Sequence, residues 1–574
     1  MHLPEDSMDT QKAENLLNLA YNTPDFQRTR SLVLDSAVNP NGLWEIIVKG
    51  CCDLSFLSQT HPQIRVTSLI QNYAILTLPK ELIPYVASLE EVIYVEMPKR
   101  LFFSVSQGIL ASCIRPVSSP PLSLDGTGTL VGIIDSGIDS SHPDFLTADG
   151  TSRIRFLWDQ SLEGNPPEGY SVGTEYDQEQ ITAALREGKR VSVDPTGHGT
   201  AVAGIAAGNG RASDGQYRGV APNADLIVVK MRPSLPNSFP RTAELMMGIN
   251  YCVNQAIRLR MPLALNLSFG NNYGCHTGTS LVETFLDQAS FLGQTTIVAG
   301  SGNEGASPIH TSGTVIPGRQ TVVEFSVGPR EPALDLQLWK NYADDFTIRL
   351  VTPSQTSVGP FPSTEGPQRW KIPGATLLVY YGKPRPYQFL QEIFLDLIPD
   401  SSYLPSGIWR ILLEPVSIKN GSFSMWLPGG GVLGSSTRFL TPSPDNTLTI
   451  PSTASSAITV GAYSTATRQL ADFSGRGSLD PIRKPDLVAP GVNITAPASP
   501  ATYQTFSGTS FSAPFVTGSA ALLMEWGIVR GNDPYLYGEK IKAALARSAR
   551  QLPGFPVTPN PLTGYGALCL EGIV

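Results

Sequence analysis

Four short apolar runs, three of them closing on a polar residue or glycine, limit what this chain can become. They are TLVGIID (129–135), ADLIVVKM (224–231), PLALNLSFG (262–270) and TTIVAGSGN (295–303). Runs of this length, apolar throughout, suit strands buried on both faces. Between them lie helical stretches: HGTAVAGIAAG (198–208), AELMMGINYCVNQAIRL (243–259) and SLVETFLDQASFLG (280–293). Strand and helix in alternation predict an α/β domain around a mainly parallel sheet with helices on both faces. In such sheets the functional residues sit just beyond the carboxyl ends of strands. Asp135, Ser268 and Asn303 occupy those ends.

The alternation breaks between residues 306 and 440. Seven strand-like segments follow one another there: 320–328, 333–340, 346–353, 375–382, 392–399, 407–416 and 421–429. Their separators are rich in Pro, Gly, Ser and Asn, which predicts a β-sandwich or jelly roll. The α/β texture resumes at ITVGAYS (458–464), so the β-rich block reads as an insertion. Residues 1–107 form a separate α+β pattern, with strands at 44–50, 64–70, 72–79 and 91–98 and a helix over 80–89. The expected division is 1–107, 108–305, 306–440 and 441–574, the second and fourth segments building one domain.

Composition excludes several classes. The net charge of −8 leaves no basic surface for nucleic acid. No apolar run approaches the roughly 18 residues needed to span a bilayer. The start, MHLPEDSMDTQKAENLL, is acidic where a signal peptide is basic and then apolar. The expectation is a soluble protein without a classical secretion signal. Six scattered cysteines with no CxxC pair predict reduced, mostly buried thiols and neither a disulfide scaffold nor a zinc site. The loop 208–219 carries a single acid, Asp214, too few oxygen ligands for calcium. No metal and no cofactor are expected.

Three glycine-flanked sites carry chemistry. IIDSGID places Asp135 at a strand end, TGHGTAVAGIAAG places His198 at a helix start, and SGTSFSAP places Ser510 at another helix start. Taken singly, each has an ordinary role: a turn acid, a structural imidazole, a helix cap. Taken together they are what acyl transfer needs. A serine hydroxyl requires an imidazole to accept its proton, and the imidazole requires a carboxylate to fix its tautomer. Asn303 in AGSGNEG adds a side-chain N–H for an oxyanion.

The strings IIDSGID, GHGTAVAGIAAG, SGNEG and GTSFSAP, in that order, resemble the signatures of subtilisin-like serine proteases (subtilases). RGVAPNADLIVVK (218–230) and KPDLVAPGVNI (484–494) look like further framework segments of that family. The resemblance implies Asp135 as orienting acid, His198 as general base, Ser510 as nucleophile and Asn303 as oxyanion donor beside the Ser510 backbone N–H. It implies a substrate site along Ser268, Phe269, Gly270 and Ala299, Gly300, Ser301, Gly302. It makes His142 structural and leaves Ser507 and Ser512 outside the nucleophile position.

The N-terminal unit resembles a subtilase prodomain, and with the β insertion the layout resembles the Csp-type clostridial germination proteases. That implies self-cleavage near Gln107–Gly108, with the prodomain acting as chaperone and bound inhibitor. It also implies a protein or peptide substrate, such as the zymogen of a spore cortex-lytic enzyme, and a monomeric protease. Two competing readings are a catalytically restrained pseudoprotease-like scaffold and a carbohydrate binder using Trp339, Trp370, Trp409 and Trp426. Those tryptophans are expected in the core instead.

Overall fold

In the computed structural model of the protein, residues 42–68, 72–96, 111–232, 240–363, 366–382, 388–429, 432–478 and 484–573 are described, with 12–13, 17, 20–21, 38 and 384 besides. Gln107 and Gly108 lie outside the described residues. The chain divides into two compact units, 1–102 and 103–574.

The first unit is a four-stranded antiparallel sheet of β1 (Trp44–Gly50), β2 (Arg65–Ser68), β3 (Tyr73–Leu78) and β4 (Val92–Glu96), in the order β2-β3-β1-β4. β1 alternates buried and half-buried residues along its length, the mark of a sheet covered on one face. Ile46, Val48, Leu76, Leu78 and Val95 face Ile83, Val86 and Ala87 of the helix Ile83–Ser88.

The second unit is built on an eight-stranded sheet. Its strands are β5 (Leu130–Asp135), β6 (Ile154–Asp159), β7 (Thr174–Asp177), β8 (Asp225–Lys230), β9 (Leu263–Leu267), β10 (Thr295–Gly300), β22 (Ile458–Tyr463) and β23 (Leu487–Pro490). They run in the order β23-β22-β10-β9-β5-β8-β6-β7, and only β7 is antiparallel. Alternation along each strand feeds two cores. Val131 and Ile133 of β5 face the helices His198–Ala207 and Thr509–Met524, which supply Ala203, Phe515 and Val516. Leu130 and Ile134 face the helices Thr242–Leu259 and Leu281–Ala289, which supply Ile249, Cys252 and Leu286. A sheet buried on both faces explains why its strands read as unbroken apolar runs.

Between β10 and β22 the described residues form eleven strands. They are β11 (His310–Thr314), β12 (Thr321–Val327), β13 (Leu334–Asn341), β14 (Asp345–Val351), β15 (Ser357–Phe361), β16 (Gly366–Ile372), β17 (Ala375–Tyr381), β18 (Leu390–Pro399), β19 (Gly407–Ser417), β20 (Ser422–Trp426) and β21 (Arg438–Phe439). They make two antiparallel sheets, β11-β20-β13-β18-β17-β16 and β15-β14-β19-β12-β21. One core lies between them, with Phe325, Leu338, Phe346, Val379, Ile393, Trp409 and Ile411. Trp339, Trp409 and Trp426 are buried and Trp370 half-buried, as expected of core rather than a sugar platform. A short ribbon, β24 (Ile494–Ala498) with β25 (Thr502–Phe506), leads into the Thr509–Met524 helix.

β11, β15, β16 and β21 were not anticipated, and β15 and β16 contain proline, at 360 and 367. Each is the outermost strand of its sheet, where a missing N–H costs no ladder bond.

The cysteine expectation is corrected. Cys113 and Cys569 form a disulfide, with Cα atoms 4.8 Å apart. The two lie 456 residues apart, so no local spacing announces the pair. Packing brings them together: Leu568 and Leu570 enter the same core as Ile114 and Val117, and Leu570 N donates to Ser112 O. Cys252 and Cys275 are buried, but Cys51 and Cys52 are exposed. The group Cys113, Cys569 and Glu571 is the cluster of metal-ligand type among the described residues, and its two sulfurs are already bonded to each other. No helix among the described residues is long and apolar enough to cross a membrane. Alkylation of denatured, unreduced protein is expected to modify four of the six cysteines, with tandem mass spectrometry recovering the 113–569 cross-link.

The insertion is tied to the sheet domain through a buried aromatic stack. His276, in the loop after β9, stacks on Trp426 of β20 at 4.3 Å, and His310 of β11 stacks on Trp426 at 4.7 Å. His276 Nδ1 lies 2.7 Å from Leu448 O and Nε2 3.3 Å from Asn272 O, the shorter contact favouring the proton on Nδ1. Burial pushes both imidazoles down to about 4. The unfolded chain takes up these protons as pH falls through 6.5, while the folded chain resists until about 4. Stability therefore declines as pH falls across that window, by roughly 1.4 kcal/mol per pH unit for each ring. Thermal melts at pH 7 and pH 4.5 are expected to differ less for His310→Phe than for the wild type.

Candidate active site

The carboxyl ends of β5, β9 and β10 and the first turns of two helices meet on one edge of the sheet. Asp135 ends β5 and is wholly buried. Its Oδ1 accepts from Ser136 N at 2.7 Å and lies 2.8 Å from His198 Nδ1. A carboxylate at that distance makes Nδ1 the protonated nitrogen and leaves the Nε2 lone pair free to accept a proton. His198 opens its helix after Gly197, whose φ is 74°. The next residue must be glycine because the helix end presses on β5. A Cβ at 199 would come within 2.1 Å of Gly137 O and 3.0 Å of Asp135 Cβ.

A second carboxylate braces this pair. Asp194 Oδ2 accepts from Thr200 N at 2.8 Å and Thr200 Oγ1 at 2.7 Å, and its Oδ1 accepts from Gly197 N at 3.0 Å. The negative charge therefore sits on the N-terminus of the His198 helix, where free N–H groups and the dipole favour it. Ser136 Oγ donates to Asp194 Oδ1 at 2.8 Å and stands 3.1 Å from Asp135 Oδ1. Asp194 was not anticipated. The signal available was an acid four residues before the histidine in DPTGH.

Ser510 is the second residue of the helix Thr509–Met524. Its hydroxyl donates to Ser268 O at 3.4 Å, a long bond, and makes none to His198. The His198 ring stands 5.3 Å from the ring of Phe511, the next residue. Catalytic hydrogen bonds are often unmade without substrate and tighten on binding. Asn303 is oriented by the same helix: its Oδ1 accepts from Thr509 N at 3.0 Å and Thr509 Oγ1 at 3.2 Å. With the oxygen so engaged, Nδ2 is turned toward Gly508, 3.4 Å from where a Cβ would stand.

A cleft of about 260 Å³ is lined by Ser510 and Asn303 together with Ser268, Phe269, Gly270, Gly300 and Gly302. Ala299 and Ser301, expected with them, do not line it. They are 1% and 0% exposed, Ala299 within the core it shares with the helices Thr242–Leu259 and Leu281–Ala289. For Ala299 the reason is the period of the strand: it and Gly300, one apart in β10, point to opposite faces. Glu304, Ser307, Thr449 and Thr509 also line the cleft and were missed. Thr449 follows the insertion in sequence and fills the space left by the absent side chains of Gly270 and Gly302. His142 is wholly buried, with Nδ1 accepting from Asp144 N and Nε2 beside Thr502 O, a structural position.

Residues 126–328 and 434–566 match the family model described as the subtilase family, more than half of the chain. The chain belongs to the subtilase family. Residues 11–99 match the model described as the Csp protease B prodomain. The stretch the subtilase model leaves out, 329–433, holds β13 to β20. Among solved structures, the Clostridium perfringens CspB protease is similar, with 35% identity and a TM-score of 0.73 over 80% of this chain and 95% of that one. Among subtilases of curated sequence, the minor extracellular protease Vpr of Bacillus subtilis is 25% identical over 78% of this chain and 51% of its own length. Subtilisin E of Bacillus subtilis is 29% identical over 34% of this chain and 40% of its own. The chain thus spans about half, or less, of these curated relatives.

Burial disfavours a charged His198, but the Asp135 charge and hydrogen bond, with Asp194 beyond, outweigh it and hold the imidazole above its ordinary 6.5. A base works only when neutral, so nucleophile reactivity is expected to rise with pH through a midpoint above 6.5. Removing the Asp194 charge takes away one of the forces holding the proton. In Asp194→Asn the midpoint for fluorophosphonate labelling of Ser510 is expected to move to lower pH.

Proposed function

We propose that this subtilase is a serine endopeptidase working through Ser510, His198 and Asp135. His198 Nε2 takes the Ser510 proton as Oγ attacks a peptide carbonyl. Asp135 holds Nδ1–H and stabilises the imidazolium. The tetrahedral oxyanion receives hydrogen bonds from Asn303 Nδ2 and the Ser510 N–H. Collapse breaks the C–N bond, and His198 returns its proton to the departing amine. Water then repeats the sequence on the acyl-serine, releasing the acid and restoring Ser510. The observation that carries this reading is the 2.8 Å contact of Asp135 and His198 beside a cleft lined by both Ser510 and Asn303.

The prodomain match supports a self-processed enzyme whose first substrate is its own chain, at Gln107–Gly108, and whose N-terminal unit stays as inhibitor. The Csp-type layout supports a protein zymogen, such as a spore cortex-lytic enzyme, as the later substrate. Intact mass and N-terminal sequencing test the self-processing. The wild type is expected as two pieces, the larger beginning at Gly108, and Ser510→Ala as one uncut chain. An identical pattern for both proteins refutes Ser510 as the processing nucleophile.

A further inference from the structure

The helix that carries Ser510 has a proline inside it, at 514. Proline has no N–H, so the i→i−4 bond that would end on the Ser510 carbonyl cannot form. That oxygen is orphaned by its own helix at the residue proposed as nucleophile. A buried carbonyl without a donor is costly, so the donor must come from elsewhere. It comes from the end of β9: Ser268 Oγ donates to Ser510 O at 3.1 Å.

The hydroxyl of Ser268 is itself held. Having donated its one proton, it can only accept, and Asn266 Nδ2 donates to it at 2.9 Å. Asn266 is wholly buried in β9. Its Oδ1 accepts from Thr517 Oγ1 at 2.9 Å, two turns further along the Ser510 helix. The chain of bonds leaves the helix at Thr517, crosses β9 and returns to the helix at Ser510. Asn266 Nδ2 can donate to Ser268 only if its oxygen faces Thr517, so each link sets the direction of the next. The Ser510 hydroxyl donates back to the Ser268 carbonyl at 3.4 Å, and the two serines clasp one another.

We propose that Ser268, oriented by Asn266, is a positioning residue for the nucleophile. Its hydroxyl replaces the helix N–H that Pro514 cannot supply. It holds the Ser510 backbone, and with it the N–H aimed at the oxyanion. This gives Ser268 a role beyond lining the substrate cleft, and it rests on the reading of Ser510 as nucleophile. The third alcohol in the arrangement, Thr517, never meets the cleft: it is wholly buried inside the helix layer.

The test compares wild type, Ser268→Ala and Ser268→Thr by two readouts. One is the rate of Ser510 labelling by a fluorophosphonate. The other is amide hydrogen exchange across residues 505–515. Ser268→Ala is expected to slow labelling by about tenfold to hundredfold, the scale of a small misplacement of a reacting group. Exchange over 505–515 is expected to quicken while that of the insertion strands stays unchanged. Ser268→Thr keeps the hydroxyl and is expected to label within about threefold of wild type. Wild-type labelling in Ser268→Ala, equal slowing in both variants, or unchanged exchange over 505–515 would each overturn the proposal. If the wild type itself resists the probe, as a retained N-terminal inhibitor would make it, hydrogen exchange alone decides the positioning role, and the nucleophile reading falls only if Ser510→Ala is processed like the wild type. If Ser268→Ala does not fold, the near-isosteric Thr517→Val takes its place. Slower labelling with faster exchange over 505–515 supports the network, and wild-type values refute it.

Discussion

Asp135 is a carboxylate with no exposure, set at the end of a strand in the middle of an eight-stranded sheet. Burying such a charge is expensive unless donors surround it. The architecture around β5 supplies two, both to Oδ1, a backbone N–H from Ser136 and the imidazole of His198, while Oδ2 is buried without a hydrogen bond. That requirement draws the His198 helix hard against the strand end, which only a glycine at 199 permits. It also explains the second acid. Asp194 caps the helix through Thr200 and Gly197 and links back to the first carboxylate through Ser136. The imidazole is thus oriented by one carboxylate in contact and by another through the helix it starts.

The Ser510 side follows the same logic with neutral groups. Ser510 stands where its helix lacks an internal donor, and β9 makes good the deficit. Asn303 is oriented by Thr509 at the start of that helix, so the hydroxyl and the amide are set by one element. The segments involved are far apart in sequence, and the insertion lies between the last two. Its attachment matters for the cleft as well. The loop after Gly270 is fastened to the insertion, with Gly274 N donating to Gln337 Oε1 and Asn272 Nδ2 to Leu427 O.

Much of this could be read from the residues. A continuous apolar run is diagnostic when both faces of a strand are covered, and β5, β8, β9 and β10 were visible for that reason. The seven strongest strands of the insertion were visible through composition and turn residues. Its outer strands β15 and β16 were not, because proline argues against a strand unless the strand is known to be an edge. The polar ends at Asp135, His198, Asn303 and Ser510 stood out because each lies in a long and specific local string. Thr449 and the Cys113–Cys569 bond stood out in no string at all, and Asp194 only as an acid four residues before the histidine. Each acquires its role from a partner distant in the chain.

The sequence by itself determined which chemistry is available and at which strand and helix ends it sits. Local periodicity and glycine placement are properties of neighbouring residues, and they need no partner to be legible. Tertiary structure decided which of those residues face the cleft and which face the core. Ala299 and Gly300 are adjacent, yet only the latter lines the site, because burial depends on the helix packed above the strand. Tertiary structure also decided that two cysteines 456 residues apart are one bond, and that a serine beside the cleft completes a helix belonging to another segment. Such pairings exist only once packing brings distant groups within hydrogen-bond or bonding distance.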